Sequence, residues 1–280
     1  MSDRGGRGPV PVGRASAEAV ERVAERVRAL AASYEPPTFE HVPDADSALF
    51  LCAIDHRTGY RGAHDVAGQG PLTGSALMWA VGLRAAEREP GLLTAGSLLE
   101  ITGERVAALF RIGDEEIAEP ERRAALWRDL ADGLEREHGG EADGLLAAAG
   151  GRLAGNAGLL ALLAPYEAYG DPLRKKSFLF AKICARRGWL EVRDPERWEV
   201  CVDNVLMRLA LRSGLVAPGS VADVRLGTLE AFNAVAARAR VSPPVLDDLL
   251  WERGRHDPDL VGTEAGDLRE PAREPGSTWY

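Results

Sequence analysis

From Ser75 onwards, apolar residues recur three and four positions apart through almost all of the remaining chain. That is the spacing of a one-sided helix and not of a strand. It places helices at 75–88, 96–99, 103–110, 120–138, 142–149, 156–163, 173–187, 204–213, 227–239 and 242–254. An earlier helix starts after Ser16, a good N-cap, with Glu18 in its first turn. Val20, Val23, Val27, Leu30 and Ala31 share its apolar side, and Pro36 and Pro37 set its end. The run ALFLCAI (48–54) is of buried type but too short to assign as helix or strand, and a Gly-rich loop carrying histidines follows from Asp55 to Gly74. Trp189 to Val192 is the best strand candidate. The expected fold class is mostly α: a single domain over 16–257, or two lobes of it, between a disordered 1–15 and a second tail at 258–280, both rich in Gly, Pro and charge.

Composition narrows the function. The chain has 280 residues, 45% of them hydrophobic, and a formal charge of −9, as expected of a globular protein with a full core. Duplex nucleic-acid binders usually present basic surface for phosphate neutralisation. The acidic balance therefore favours a small-molecule nucleotide-sized substrate, with nucleic acid the lesser expectation. Cys52, Cys184 and Cys201 have neither disulfide-framework nor zinc-site spacing. No metal and no cofactor is expected. With no apolar run of membrane length and no signal-peptide pattern, a cytoplasmic monomer without a membrane partner is expected.

The basic residues are unevenly distributed. Of 34 Lys and Arg, only Lys175, Lys176 and Lys182 are lysine, and all three fall within DPLRKKSFLFAK. An amine is compact and loses its proton on desolvation, which a guanidinium does not. In the helix opened by Asp171 and Pro172, Lys176 shares a face with Leu179, Phe180 and Ile183 at i, i+3, i+4 and i+7. Its amine must lose its proton or meet an anion there. Lys175 and Lys182 are expected on a more polar face with Arg186. The bland reading of all three is a solvated helix surface.

One helical hairpin later, Asp203 follows Val200, Cys201 and Val202 and opens a helix continued by Leu206, Leu209 and Ala210. Helix capping is the ordinary role of such an aspartate. A buried carboxylate also needs a partner, and Lys176 is the expected one.

A helix bearing lysine, a short connection and a Val-Asp dipeptide opening the next helix resembles the helix-hairpin-helix DNA glycosylase superfamily. Within it, the queuosine salvage family is similar through most of the chain, in order. The similar segments are DSALFLCAID (46–55), GSALMWAVGLRAA (74–86), the region 97–140, PYEAYGDPLRKKSFLFAK (165–182), VCVDNVLMRLALRSGLV (200–216), DVRLGTLEAFNAVAA (223–237) and SPPVLDDLLWERGRHD (242–257). The loop from Asp55 to Gly70 is unlike that family's. The closing LDDLLWERGR is also similar to the archaeal 8-oxoguanine DNA glycosylases, although the Gly-x-Gly hairpin with which many DNA glycosylases hold phosphate is absent.

The resemblance implies a glycosylase-like helical domain that hydrolyses queuosine 5′-phosphate to free queuine. It implies that Asp203 is the catalytic carboxylate, stabilising an oxocarbenium-like sugar, with Lys176, or Lys175 in the alternative register, holding it ionised. Asp46 and Phe50 match the family's early motif and are expected at the base, Phe50 by stacking. His56 and Trp79 are further substrate-binding candidates. His64, Arg57 and Arg61 sit in the same loop, where a solvated surface is the plainer reading. Asp247 and Asp248 suit compensation of a helix N-terminus, with a pocket role open to Asp248. Two other functions compete. One is an 8-oxoguanine-type DNA glycosylase/lyase whose lysine attacks the sugar as a Schiff-base nucleophile. The other is a noncatalytic all-α interaction protein.

Overall fold

The computed structural model describes residues 15–279. The expected disorder of residues 1–15 falls, but for Ala15, outside the described residues. Among the described residues, regular structure consists of twelve α-helices, two 3-10 turns and one two-stranded hairpin. The helices are α1 (Ala17–Ala31), α2 (Ala45–Ala53), α3 (Gly74–Arg88), α4 (Ala95–Leu98), α5 (Gly103–Leu109), α6 (Pro120–His138), α7 (Ala142–Ala149), α8 (Leu159–Leu163), α9 (Lys175–Arg187), α10 (Asn204–Arg212), α11 (Val221–Ala239) and α12 (Pro243–Gly254). No helix among the described residues is long and apolar enough to cross a membrane.

The only strands among the described residues, β1 (His64–Asp65) and β2 (Pro71–Leu72), pair antiparallel inside the loop before α3. Trp189 to Val192, expected as a strand, is an irregular connection instead. Its continuation is held by a bond from Arg193 N to Gly151 O at 2.8 Å. With no neighbouring strand to complete a ladder, its aromatic and branched side chains serve packing rather than sheet formation.

The chain divides into two compact units, one nested within the other in sequence. Among the described residues, 37–201 with 276–279 form the inserted unit, and 15–36 with 202–275 form the other.

The inserted unit is built around α2, whose Ser47–Ala53 are buried on every side. This all-round burial erases the periodicity that would have named the run a helix. Asp44 caps it, accepting from Ser47 N at 2.7 Å. The last carbonyls of a helix lack intrahelical donors, and neighbouring side chains supply them. Trp127 Nε1 donates to Phe50 O at 2.7 Å, and Lys176 Nζ to Ala53 O at 2.5 Å. Tyr169 Oη adds a bond to Leu49 O at 2.6 Å. Burying Leu49, Phe50 and Leu51 contributes about 1.5–3 kcal/mol each. The helices α6, α7 and α9 pack around α2. Gly82 lets α3 approach, since a Cβ there would come within 2.5 Å of Leu51 Cδ2.

The other unit packs α1, α10, α11 and α12 together. Ser16 caps α1 through Ala19 N at 3.1 Å, and α1 ends at Ala31, five residues before Pro36. The segment after Asp257, read from composition as a tail, is packed here. Arg212 pairs with Asp259 at 2.5 Å and with Asp267, while Arg208 grips Glu270 through two bonds of 2.7 and 2.6 Å. Val261 is fully buried, and its carbonyl accepts from Arg26 at 2.7 Å. Charge in this segment marks specific arginine partners rather than solvation.

Candidate active site

The lysine helix α9 starts at Lys175, two residues later than its pattern suggests. Asp171 makes the turn, accepting from Leu173 N at 3.0 Å and from Lys175 N at 3.2 Å. Arg174 takes a left-handed conformation, φ 56°, at the N-cap. That turn delivers Lys175 and Lys176 as the first two helical residues. All three lysines are sheltered: the Lys175 side chain is 11% exposed, Lys176 0% and Lys182 4%. The solvated-face reading fails, and Lys182 is not on the polar side that its spacing suggested.

Lys176 lies on the apolar face, as expected, but its bonds go to a carbonyl and an imidazole. Nζ donates to Ala53 O at 2.5 Å and sits 3.2 Å from His56 Nδ1. The partner expected for it was the carboxylate of Asp203. Burial, then the adjacent Lys175 charge, pushes the Lys176 amine well below its usual value, and Asp55 opposes only in part. A desolvated amine is relieved by pairing or by losing its proton, and burial weights Lys176 towards the uncharged form. Burial first, and the Lys176 and Arg123 side chains next, also hold His56 far below the ordinary imidazole range. No described residue bonds His56 Nε2.

The charged pair is made by the neighbouring lysine. Lys175 Nζ lies 3.6 Å from Asp55 Oδ2, and the same oxygen is 3.4 Å from Trp79 Nε1. Burial alone would raise the Asp55 carboxyl. Lys175, the Ser75 side chain, Lys176 and the Trp79 N–H together outweigh it and bring the group below its usual value. The inserted unit therefore gathers the Asp55 carboxyl, the Lys175 and Lys176 amines and the His56 imidazole into one sheltered cluster.

Of the candidates read from sequence, His56, Trp79, Lys175 and Lys176 converge here. Two others serve structure. Phe50 is fully buried in the core of α2, which leaves its ring no open face for a base. Asp46 accepts from Ala142 N at 2.7 Å and so caps α7; burial raises its carboxyl. His64 lies in the hairpin, 3.2 Å from Glu115 Oε1, and Glu115 also takes the backbone N–H groups of Arg61 and Gly62. Arg57 pairs with Glu119 at 4.0 Å.

Asp203 and Asp248 belong to the other unit. Asp203 is 8% exposed and caps α10, its Oδ1 accepting from Val205 N at 2.9 Å and Leu206 N at 3.0 Å. The N-terminal end of α10 favours that negative charge. Asp247 and Asp248 are buried in the second turn of α12. Dipole compensation fades beyond the first turn, so the capping role expected of this pair does not apply.

Sequence reading missed Asp55, Ser75 and Arg123. Asp55 directly follows the seven-residue buried run, and a carboxylate at the edge of such a run is a usable signal. Arg123 stands at i, i+3, i+4 and i+7 with Leu126, Trp127 and Leu130, the same pattern that singled out Lys176.

Neither a known protein-family model nor any curated protein matches this chain.

Proposed function

We propose that this chain is an N-glycosidase that hydrolyses the bond between a purine-like base and the sugar of a nucleoside 5′-phosphate. Queuosine 5′-phosphate is the substrate that the sequence resemblance implies. The observation that carries the reading is the sheltering of all three lysines on α9, where a solvated helix would have left them in water. A helical protein without such chemistry has little reason to bury an amine that must give up its proton.

Asp203 is assigned to the sugar as the carboxylate that stabilises positive charge developing at C1′. Two unit charges about 4 Å apart at an effective dielectric of about 20 attract by about 4 kcal/mol. That corresponds to a rate effect of roughly a thousandfold. Lys175 is the lysine paired with Asp55, whose carboxyl Trp79 and Ser75 also hold.

The test is release of free queuine from queuosine 5′-phosphate, followed by mass spectrometry. Wild type is expected to turn over, and Asp203→Asn to lose roughly a thousandfold in kcat while staying folded, because asparagine caps a helix as well as aspartate does. No release by wild type, or undiminished release by Asp203→Asn, overturns the assignment.

One observation favours the lyase alternative: a lysine with a depressed pKa is the form that attacks a sugar carbon. Full burial of Lys176 and its bond to Ala53 O oppose it. Borohydride trapping on an abasic-site oligonucleotide decides between them; the hydrolase reading expects no adduct.

A further inference from the structure

The segment leaving α2 is irregular backbone in a dry place. Ala53, Ile54, Asp55, His56 and Thr58 are all buried, so their carbonyl groups need protein donors. Lys176 supplies Ala53 O, and Ala118 N supplies Thr58 O at 2.8 Å. Ile54 O accepts from His56 N at 2.9 Å, and the carbonyls of residues 56 and 57 both go to one side chain. Arg123 Nη2 donates to His56 O, and to Arg57 O at 3.2 Å, while its Nη1 donates to Ala118 O. One guanidinium therefore ties residues 56 and 57 to the strand-like approach to α6.

Arg123 is fully buried in the first turn of α6, and no carboxylate bonds it among the described residues. An arginine is almost never buried this deeply without an acid partner, and here its donors are spent on carbonyls. The planar fork is what allows it, because two nitrogens on one rigid plane reach two backbone segments at once. A lysine offers donors from a single point. Arg57, held by this fork, sits at φ 35°, a conformation that persists only when its surroundings over-determine it. Asp55 is the residue immediately before this clamped pair, and its contacts with Lys175 and Trp79 require the segment to stay where it is.

We propose that Arg123 is a positioning residue for the Asp55–Lys175 pair: its fork fixes the backbone beside Asp55, and its charge favours the ionised carboxylate. The proposal rests on reading this cluster as part of a glycosidase site, and it names the group that aligns the cluster. Lys176, bonding Ala53 O, anchors the other end of the same segment.

Two variants of the full chain separate the fork from the charge. Arg123→Lys keeps the charge and loses the fork; Arg123→Met loses both. Amide hydrogen exchange over residues 54–58 is expected to speed up at least tenfold in both, with exchange in α7 and α8 unchanged. The Asp55 carboxyl, followed by carbon NMR, is expected to titrate higher in Arg123→Met and close to wild type in Arg123→Lys. In the queuosine 5′-phosphate assay, kcat is expected to fall at least tenfold in both with KM within threefold, and the acid limb of the Arg123→Met profile to move to higher pH. Unchanged exchange at 54–58, or an Asp55 titration indifferent to Arg123→Met, overturns the proposal. These two readouts need no turnover, so they decide the role of Arg123 even if wild type releases no base. If Arg123→Met does not fold, Arg123→Lys decides through exchange alone.

Discussion

Replacing Lys176 by methionine tests whether a buried amine in this protein is neutral. In the folded chain its pKa is pushed well below the usual value, by burial first and Lys175 second; in the unfolded chain it is about 10.4. Between those two values the unfolded chain binds a proton that the folded chain does not. Stability contributed by this group is therefore complete only above about pH 10.4 and falls as pH falls, by about 1.4 kcal/mol per unit. From pH 9.5 towards 7.5 the wild type is expected to lose stability through this residue, by at most about 1.4 kcal/mol per unit, and K176M loses none of it. Methionine fills much of the same volume but leaves Ala53 O without its donor, a cost of about 1–3 kcal/mol that does not depend on pH. K176M is thus expected to be clearly less stable than wild type at pH 9.5 and close to it at pH 7.5. Urea unfolding of both proteins at pH 7.5, 8.5 and 9.5 measures the difference. The window stays above pH 7 so that the unfolded imidazole of His56 remains neutral. A stability gap that is the same at all three pH values refutes the reasoning, because it requires Lys176 to keep its proton when folded.

Other perturbations have equally definite outcomes. Gly133→Ala places a Cβ against the Tyr166 ring, so it is expected to destabilise the inserted unit by about 1–3 kcal/mol in denaturant unfolding; no change would mean that the ring moves freely. Asp55→Asn removes the carboxylate from Lys175 and is expected to cost on the order of 3 kcal/mol, read in the same way. Trp79→Phe removes the N–H that holds Asp55 Oδ2, so the Asp55 carboxyl is expected to titrate higher by carbon NMR while the core stays packed. Ending the chain at residue 257 removes the acids that hold Arg208, Arg212 and Arg26 and exposes α10. A lower Tm by calorimetry is expected, and an unchanged Tm would show that the segment contributes nothing.

The helical content was legible because most helices here are amphipathic, and Ser16 marks a start that its position announces. The helix α11 still starts six residues before the pattern suggests, since Gly227 reads as a break and is instead a buried interior residue. The helix α2 could not be read, because a segment buried on all sides has no period. The site was half legible. Rarity made the lysines stand out, and the face rule placed Lys176 inside. The same rule fits Arg123, which went unseen because arginine is this chain's common cation. Asp55 was lost to the habit of reading Gly-rich sequence as surface loop, although its first residues are among the most enclosed. The partner of Lys176 could not be read at all. Burial of an amine is consistent with a carboxylate or with none, and only the position of Ala53 O and His56 decides.

The nesting of one unit inside the other in sequence sets an order of events at the ribosome. The helix α1 emerges first, but the segments that cover its apolar side begin only at residue 202, after the whole inserted unit. At roughly 5–20 residues per second, Val23, Ala24 and Val27 wait on the order of ten seconds or more in water while residues 37–201 are made and can collapse on their own. Early translation thus leaves a short amphipathic helix bare, a natural binding place for a chaperone, until residues 202–275 arrive to complete its unit.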